Sequence, residues 1–136
     1  MMSLKEQDVL YLPVDRQHLA GVMRLCRDEG WPSYTADPEL VWSALAAPGS
    51  HTVVAVSSDS VLGFAQLQTD GLIQAHLTII AVDRQFRRRG IGRRLVEEAF
   101  RRSGAQRVDL LSTEGAEAFY ESFEHRRFPG YRIYPA

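Results

Sequence analysis

A glycine turn between a strand-like and a helix-like stretch constrains the fold of this chain more than any other feature. Residues 77–82 form an apolar run typical of a buried strand, and residues 95–100 repeat apolar side chains at helical spacing. Between them lies Arg87-Arg88-Arg89-Gly90-Ile91-Gly92-Arg93, whose glycines leave backbone N–H groups uncovered at the positive end of a helix. This order of strand, glycine turn and helix predicts a binding site for a phosphate or pyrophosphate, which the arginines would also attract.

Length and composition predict one domain that spans residues 1–136. A chain of 136 residues with 45% hydrophobic and 24% charged residues can bury a core without disulfides or structural metals. Its one cysteine, Cys26, excludes an internal disulfide framework and a multi-cysteine metal site, and it suits a reducing compartment. The charged N-terminus lacks the apolar core of a signal peptide, and no apolar run approaches the roughly 20 residues of a membrane span. We therefore expect a cytoplasmic domain with no membrane partner.

The net charge of -1 hides a strongly basic segment. Residues 84–107 contain nine arginines and two glutamates. Such a local patch on a nearly neutral protein favours a compact polyanion as its ligand. Binding to a single-stranded nucleic acid would need interleaved aromatic residues, and only Phe86 and Phe100 lie in this segment. We therefore expect no nucleic-acid partner. Arg101 and Arg102 have a simpler interpretation, since Glu97 and Glu98 can pair with them on a solvated helix face.

The pattern along the chain predicts a mixed α/β fold. Strands at the start are joined by short turns, whereas the glycine turn and its helix form a crossover that implies parallel pairing of the strands on either side. The predicted elements are a strand at 10–14, helices at 18–28 and from residue 38, strands at 52–57, 61–68 and 72–82, a helix at 90–103, a strand at 107–111, a helix at 114–124 and a closing strand at 130–134.

The segment from Val82 to Leu95 resembles the acyl-CoA-binding motif of the GNAT family of N-acetyltransferases. That motif reads Gln or Arg, two residues, Gly, one residue, then Gly or Ala, after a strand that ends in an apolar residue. The order of elements resembles the family over nearly the whole chain, and Tyr120 matches its other frequent marker, a tyrosine in the helix after the next strand. The resemblance implies a central mixed sheet of about six to seven strands flanked by about four helices.

The resemblance also implies that acetyl-CoA is the acyl donor, with no metal and no covalent enzyme intermediate. The backbone of the glycine turn would hold the CoA pyrophosphate, and that of the preceding strand would pair with the pantetheine arm. An N–H of the same strand would polarise the acetyl carbonyl as the amine attacks. The residues implied are Ile80, Ala81 and Val82 on the strand, and Arg87, Arg88, Arg89, Gly90, Ile91, Gly92 and Arg93 in the turn.

Two side chains are candidates for proton transfer. The resemblance makes Tyr120 the general acid that protonates the departing thiolate, although its helical spacing with Phe119 and Phe123 also fits a core aromatic. His76 is a candidate general base, because an imidazole titrates near neutral pH. Strand alternation would place it on the same face as Ile80 and Val82. The alternative is a partly exposed strand histidine without a role.

The loop after the first helix is implied to form the acceptor side, which points to Trp31, Ser33 and Tyr34. The alternative for these residues is packing over the sheet edge. The acceptor would be an amine of a small molecule or of a protein, and the sequence does not name it. A non-catalytic module that binds acyl-CoA to regulate or scaffold a partner remains the alternative function. The sequence also leaves homodimer formation open.

Overall fold

The computed structural model describes residues 8–136. Its regular elements alternate between strands and helices, in the order expected of a mixed α/β chain. They are β1 (Leu10–Pro13), α1 (Leu19–Glu29), α2 (Pro38–Leu45), β2 (Ser50–Ser57), β3 (Ser60–Thr69), β4 (Gln74–Val82), α3 (Ile91–Ser103), β5 (Arg107–Asp109) and α4 (Glu117–Glu121). None of the helices in this part of the chain is long and apolar enough to cross a membrane.

The strands form a single mixed sheet in the order β1-β2-β3-β4-β5. The first four strands pair antiparallel, and β5 pairs parallel to β4, which confirms the predicted crossover through α3. This last pairing is short, since only Gln74 to His76 oppose Arg107 to Asp109. Beyond His76, therefore, the side of β4 that faces away from β3 has no neighbouring strand among residues 8–136.

Helices cover both faces of the sheet and close two hydrophobic cores. On one face α1 and α2 pack over Phe64, Ile79 and Ala81. On the other, α3 places Leu95 and Ala99 over side chains that include Ala65 and Leu77. Phe64 and Leu95 are fully buried, and burial of one such side chain stabilises the fold by about 1.5–3 kcal/mol. Each of the two helix layers therefore packs on side chains of β4, one layer on each face of the sheet.

A register shift in β4 changes which side chains share a face. Gln66 of β3 opposes Ile79 and Leu67 opposes Leu77, so Thr78 is an extra residue in β4. Leu77 and Ile80 consequently both contact the α3 core, and His76 lies on the opposite face. The expectation that His76 shares a face with Ile80 and Val82 was wrong, because simple alternation fails across a bulge.

The C-terminal part of the chain contains less regular structure than expected. Residues 8–136 form five strands rather than six or seven, and 130–134 is not a strand. Tyr131 and Tyr134 remain 81% and 80% exposed, so this segment lacks the buried face that normally offsets the entropy of ordering a strand. The last helix spans Glu117–Glu121 instead of 114–124, and the left-handed φ of 89° at Gly115 accounts for its later start. The four α-helices that were expected are present among residues 8–136.

Candidate active site

A cleft of about 1170 Å³ opens where β4 and β5 separate. Its walls come from four parts of the fold, namely the second half of β4, the N-terminal turn of α3, the segment that includes α4, and the loop after α1. Most of the residues proposed from the sequence line it: Trp31, Ser33, Tyr34, His76, Ile80, Ala81, Val82, Arg87, Arg88, Gly90, Ile91, Gly92, Arg93 and Tyr120. The fold thus brings together residues that lie almost 90 positions apart in sequence.

The edge of β4 presents unpaired backbone groups to this cleft. The N–H of Asp83 donates to the carbonyl of Leu62 on β3 at 2.7 Å. Because successive residues of a strand direct their backbone groups to alternate sides, Ile80 and Val82 direct theirs away from β3. Arg87 supports this orientation, since its Nε donates to the Val82 carbonyl at 3.0 Å. The N–H groups of Ile80 and Val82 are therefore available to a ligand that lies along the edge.

The N-terminus of α3 presents a second set of backbone donors. Gly90 occupies the N-cap position without a capping side chain. The first bond within the helix runs from the Arg94 N–H to the Gly90 carbonyl at 3.0 Å, so the N–H groups of Ile91, Gly92 and Arg93 have no partner inside the helix. The positive end of the helix dipole coincides with these donors, which makes the turn a site for an anion.

Gly90 and Gly92 serve different purposes in this turn. Gly90 has a left-handed φ of 81°, with open space where a Cβ would lie. A Cβ on Gly92 would instead lie 3.2 Å and 3.3 Å from two ring atoms of Phe119. Gly90 therefore permits the left-handed backbone of the turn, whereas Gly92 makes room for an aromatic ring of α4.

The arginines of the turn are not equivalent. Arg87 forms an ion pair with Glu29 at the end of α1, in addition to its bond to Val82. Arg89 lies over the Phe86 ring, at 5.3 Å from its centroid. Arg88 has an exposed side chain for which no ion pair or hydrogen bond is found in residues 8–136. Glu29 also lines the cleft, and its pairing with Arg87 was missed, because the two residues lie 58 positions apart and leave no local sequence signal.

Tyr120 lies in the cleft wall with its ring packed against the α3 core. Phe119 contacts it edge to face, with 5.1 Å between ring centroids. Burial raises the pKa of the Tyr120 phenol above its usual value of about 10, so the side chain keeps its proton at neutral pH. Its hydroxyl has no hydrogen bond within the described residues. Such a phenol can donate a proton to charge that develops in the cleft.

His76 lines the same cleft, and its side chain is exposed. It sits opposite Gln68 on β3, and the Gln68 amide oxygen accepts a hydrogen bond from the Thr78 hydroxyl at 2.8 Å. The imidazole itself has no hydrogen-bond partner among residues 8–136. It is therefore accessible to a substrate or to a water molecule in the cleft.

The loop after α1 forms the opposite wall. Pro32–Tyr34 form one turn of 3-10 helix. Trp31 and Tyr34 line the cleft and also pack against the core under α1 and α2, so they have a packing role, and their part in an acceptor side stays a prediction. Burial raises the pKa of the Tyr34 phenol. Cys26 lies fully buried nearby, and desolvation raises the pKa of its thiol to about 12, which makes it unsuited to act as a nucleophile.

Comparison with known sequences decides the family. The profile of the acetyltransferase (GNAT) domain matches residues 48–126, which include β4, the glycine turn and Tyr120. The chain belongs to the GNAT acetyltransferase family. It is thus an acyltransferase, as the motif and the order of elements indicated. No curated protein matches the sequence.

Solved GNAT structures share the fold over almost the full length of the chain. A predicted acetyltransferase of Deinococcus radiodurans R1 is 25% identical, with a TM-score of 0.79 over 98% of this chain and 93% of that one. A GNAT family protein of Streptococcus pneumoniae TIGR4 is 24% identical, with a TM-score of 0.73 and coverage of 93% and 96%. The aminoglycoside N-acetyltransferase AAC(6')-Iy in complex with CoA is 20% identical, with a TM-score of 0.68 and coverage of 92% and 94%.

Replacement of Gly90 by alanine is expected to destabilise the domain without creating a steric clash. A left-handed φ costs a residue with a Cβ about 1–2 kcal/mol, and the space around Gly90 is open. Gly71 in the turn between β3 and β4 has a φ of 82° and is remote from the cleft, so Gly71→Ala is a matched control. Urea unfolding should give similar losses in free energy for both variants. No loss for Gly90→Ala would contradict the conformation assigned to the turn.

Proposed function

We propose that this GNAT domain transfers an acetyl group from acetyl-CoA to a primary amine by direct attack within a ternary complex. One observation carries the proposal. The unpaired edge of β4 and the uncapped N-terminus of α3 open into the same cleft, which also contains the protonated phenol of Tyr120. A donor with an amide-bearing arm and a pyrophosphate can use both sets of backbone N–H groups at once. The complex of AAC(6')-Iy with CoA, in a similar fold, supports this choice of donor.

The backbone of Arg88 to Arg93 would hold the CoA pyrophosphate, and Ile80 to Val82 would pair with the pantetheine arm as an added strand. Arg88 is the motif arginine best placed to meet phosphate charge with its side chain, since Arg87 and Arg93 make contacts within the protein and Arg89 is not among the residues that line the cleft. The contribution of Arg87 is then indirect, because it links the end of β4 to Glu29 at the end of α1.

The reaction would proceed through a tetrahedral intermediate. The amine nitrogen attacks the thioester carbonyl, and the negative charge that builds on its oxygen is stabilised by an N–H of the Ile80–Val82 edge. Collapse of the intermediate forms the amide and breaks the C–S bond, and Tyr120 gives its proton to the departing sulfur. The proton lost by the amine goes to His76, directly or through water. Each step uses only groups that line the cleft.

The amine would enter from the side of Trp31, Ser33 and Tyr34. Their mixture of aromatic surface and hydroxyl groups suits an amine carried by either a small molecule or a protein. In support of a small amine, a bisubstrate analogue, CoA-S-monomethyl-acetylneamine, is bound by AAC(6')-Iy, whose fold is similar. We place the reaction in the cytoplasm, where the free thiol of Cys26 would remain reduced.

Acetyl-CoA is expected to stabilise the protein against heat. A ligand at a hundred times its Kd stabilises the folded state by about 2.7 kcal/mol, which corresponds to roughly 10 °C in Tm for a domain of this size. Scanning fluorimetry with acetyl-CoA, CoA and a short oligonucleotide would test this expectation. A shift with both CoA species and none with the oligonucleotide supports the proposed donor, whereas no shift with either CoA species rejects it.

The paired glycine variants provide the control for this measurement. Gly71→Ala should keep the full Tm shift with acetyl-CoA, since this substitution lowers the stability of the domain without changing the cleft. Gly90→Ala should bind the ligand more weakly and show a smaller shift, because an alanine strained at a left-handed φ would displace the backbone donors that follow it. Equal shifts in the two variants would place the ligand somewhere other than the turn of α3.

Tyr120→Phe is expected to lower turnover by about a hundredfold or more and to leave CoA binding intact. The variant removes the acid and keeps the ring that packs against Phe119. A general acid must be protonated, and burial raises the pKa of Tyr120, so wild-type activity that depends on this proton should decline only above the pH range in which an ordinary tyrosine titrates. Thiol release measured against a panel of amines checks both points. If Tyr120→Phe turns over as fast as the wild type, Tyr120 packs in the cleft wall but does not act as the acid.

His76→Ala is expected to lower kcat/KM by about a hundredfold and to leave the Kd for CoA unchanged, because the proton of the attacking amine loses its acceptor. His51→Ala is a suitable control, because it removes a histidine from β2 that does not line the cleft. If kcat/KM of His76→Ala equals that of His51→Ala and of the wild type, His76 has no role as the base.

A further inference from the structure

Arg93 connects the anion-binding turn to the segment that contains Tyr120. Its guanidinium donates to the Ser122 carbonyl at 2.7 Å and lies 3.0 Å from the Ser122 hydroxyl oxygen. The same guanidinium lies over the Phe123 ring, at 4.0 Å from its centroid. Arg93 therefore contacts two successive residues just beyond the end of α4, with both a charge-assisted hydrogen bond and a cation–π contact.

The segment with Tyr120 has few other means of keeping its position. The helix α4 has five residues, none of which is buried, and no regular structure follows it. Isolated helices of this length are unstable, so tertiary contacts must hold it. The contacts available are the Tyr120 ring against the α3 core, the Phe119 ring against Gly92, and the two contacts of Arg93. Two of these three involve the first turn of α3.

We propose that Arg93 is a positioning residue that holds Tyr120 in register with the acyl donor, a role that rests on the proposed function of the cleft. Its backbone N–H belongs to the set of donors at the start of α3, and its side chain holds the end of α4. One residue thereby fixes the distance between the donor's anion site and the phenol that protonates the sulfur. The side chain of Arg93 acts on the protein and not on the phosphate.

A double-mutant cycle with Tyr120 tests this role. Arg93→Gln should reduce kcat about tenfold and change the Kd for CoA less than threefold, since displacement of a catalytic group lowers turnover more than binding. In the Tyr120→Phe background the same change should alter kcat less than twofold, because the group that Arg93 positions is already absent. If the two reductions in kcat simply multiply, Arg93 does not act through Tyr120 and the proposal is overturned.

Arg94→Gln is the matched control. It removes a guanidinium from the same turn of α3, but this side chain lies over Tyr11 and near Glu98, away from α4. Its kcat should stay within twofold of the wild type. If the Arg93 and Arg94 variants lose kcat equally, the loss comes from the removal of positive charge alone, and the proposal is overturned. If Arg93→Gln does not fold, Arg93→Lys keeps the charge but loses the planar contacts, and the same comparisons apply.

An NMR measurement separates this proposal from the proposed function. With tyrosine labelled at Cζ, the Tyr120 resonance is assigned by its absence in Tyr120→Phe. In the ligand-free protein it should shift in Arg93→Gln and remain unchanged in Arg94→Gln. An unchanged resonance in Arg93→Gln overturns the positioning role. If the resonance shifts but Tyr120→Phe turns over like the wild type, positioning is supported and the acid role alone fails.

Discussion

The separation of β4 from β5 is the constraint on which the rest of this structure depends. Parallel pairing covers three residues of each strand and then ends, so no strand of the described residues 8–136 pairs with the outer edge of Ile80–Val82. Unpaired backbone groups inside a domain are costly unless a ligand or water satisfies them. Since β4 lies between two cores that hold it rigidly, the open edge is a fixed feature of the fold. A cleft lined by backbone donors follows directly from it.

Some of the arginines around this edge make structural contacts and others are free to meet a ligand, a difference that the sequence does not reveal. Arg87 connects β4 to α1, and Arg93 connects α3 to the end of α4. Both guanidiniums contact other parts of the protein, so the proposed anion site consists mainly of backbone donors, with Arg88 at its rim. Part of the positive charge of the arginine-rich segment is thus structural. Tyr120 depends on this arrangement for its position.

Local signals allowed most of the fold, and many of the residues that line the cleft, to be predicted. The glycine turn defined the start of α3, and the crossover predicted the parallel pairing of β5. The face of His76 was wrong because a single extra residue at Thr78 breaks strand alternation, and no composition marks such a bulge. The roles of Glu29 and Phe119 were missed because each rests on a contact distant in sequence. Residues 130–134 were wrongly predicted to form a strand, because this segment has no face that packs against a core.

The most direct test of the account is a titration with CoA followed through the backbone amide resonances of the protein. The account predicts that the largest chemical-shift changes fall on two groups of amides at once, Ile80 and Val82 on the strand edge and Ile91 to Arg93 at the start of α3. Both groups should saturate with the same Kd, because one ligand contacts both. Unchanged resonances at these amides at saturating CoA, or changes centred elsewhere in the domain, would contradict it.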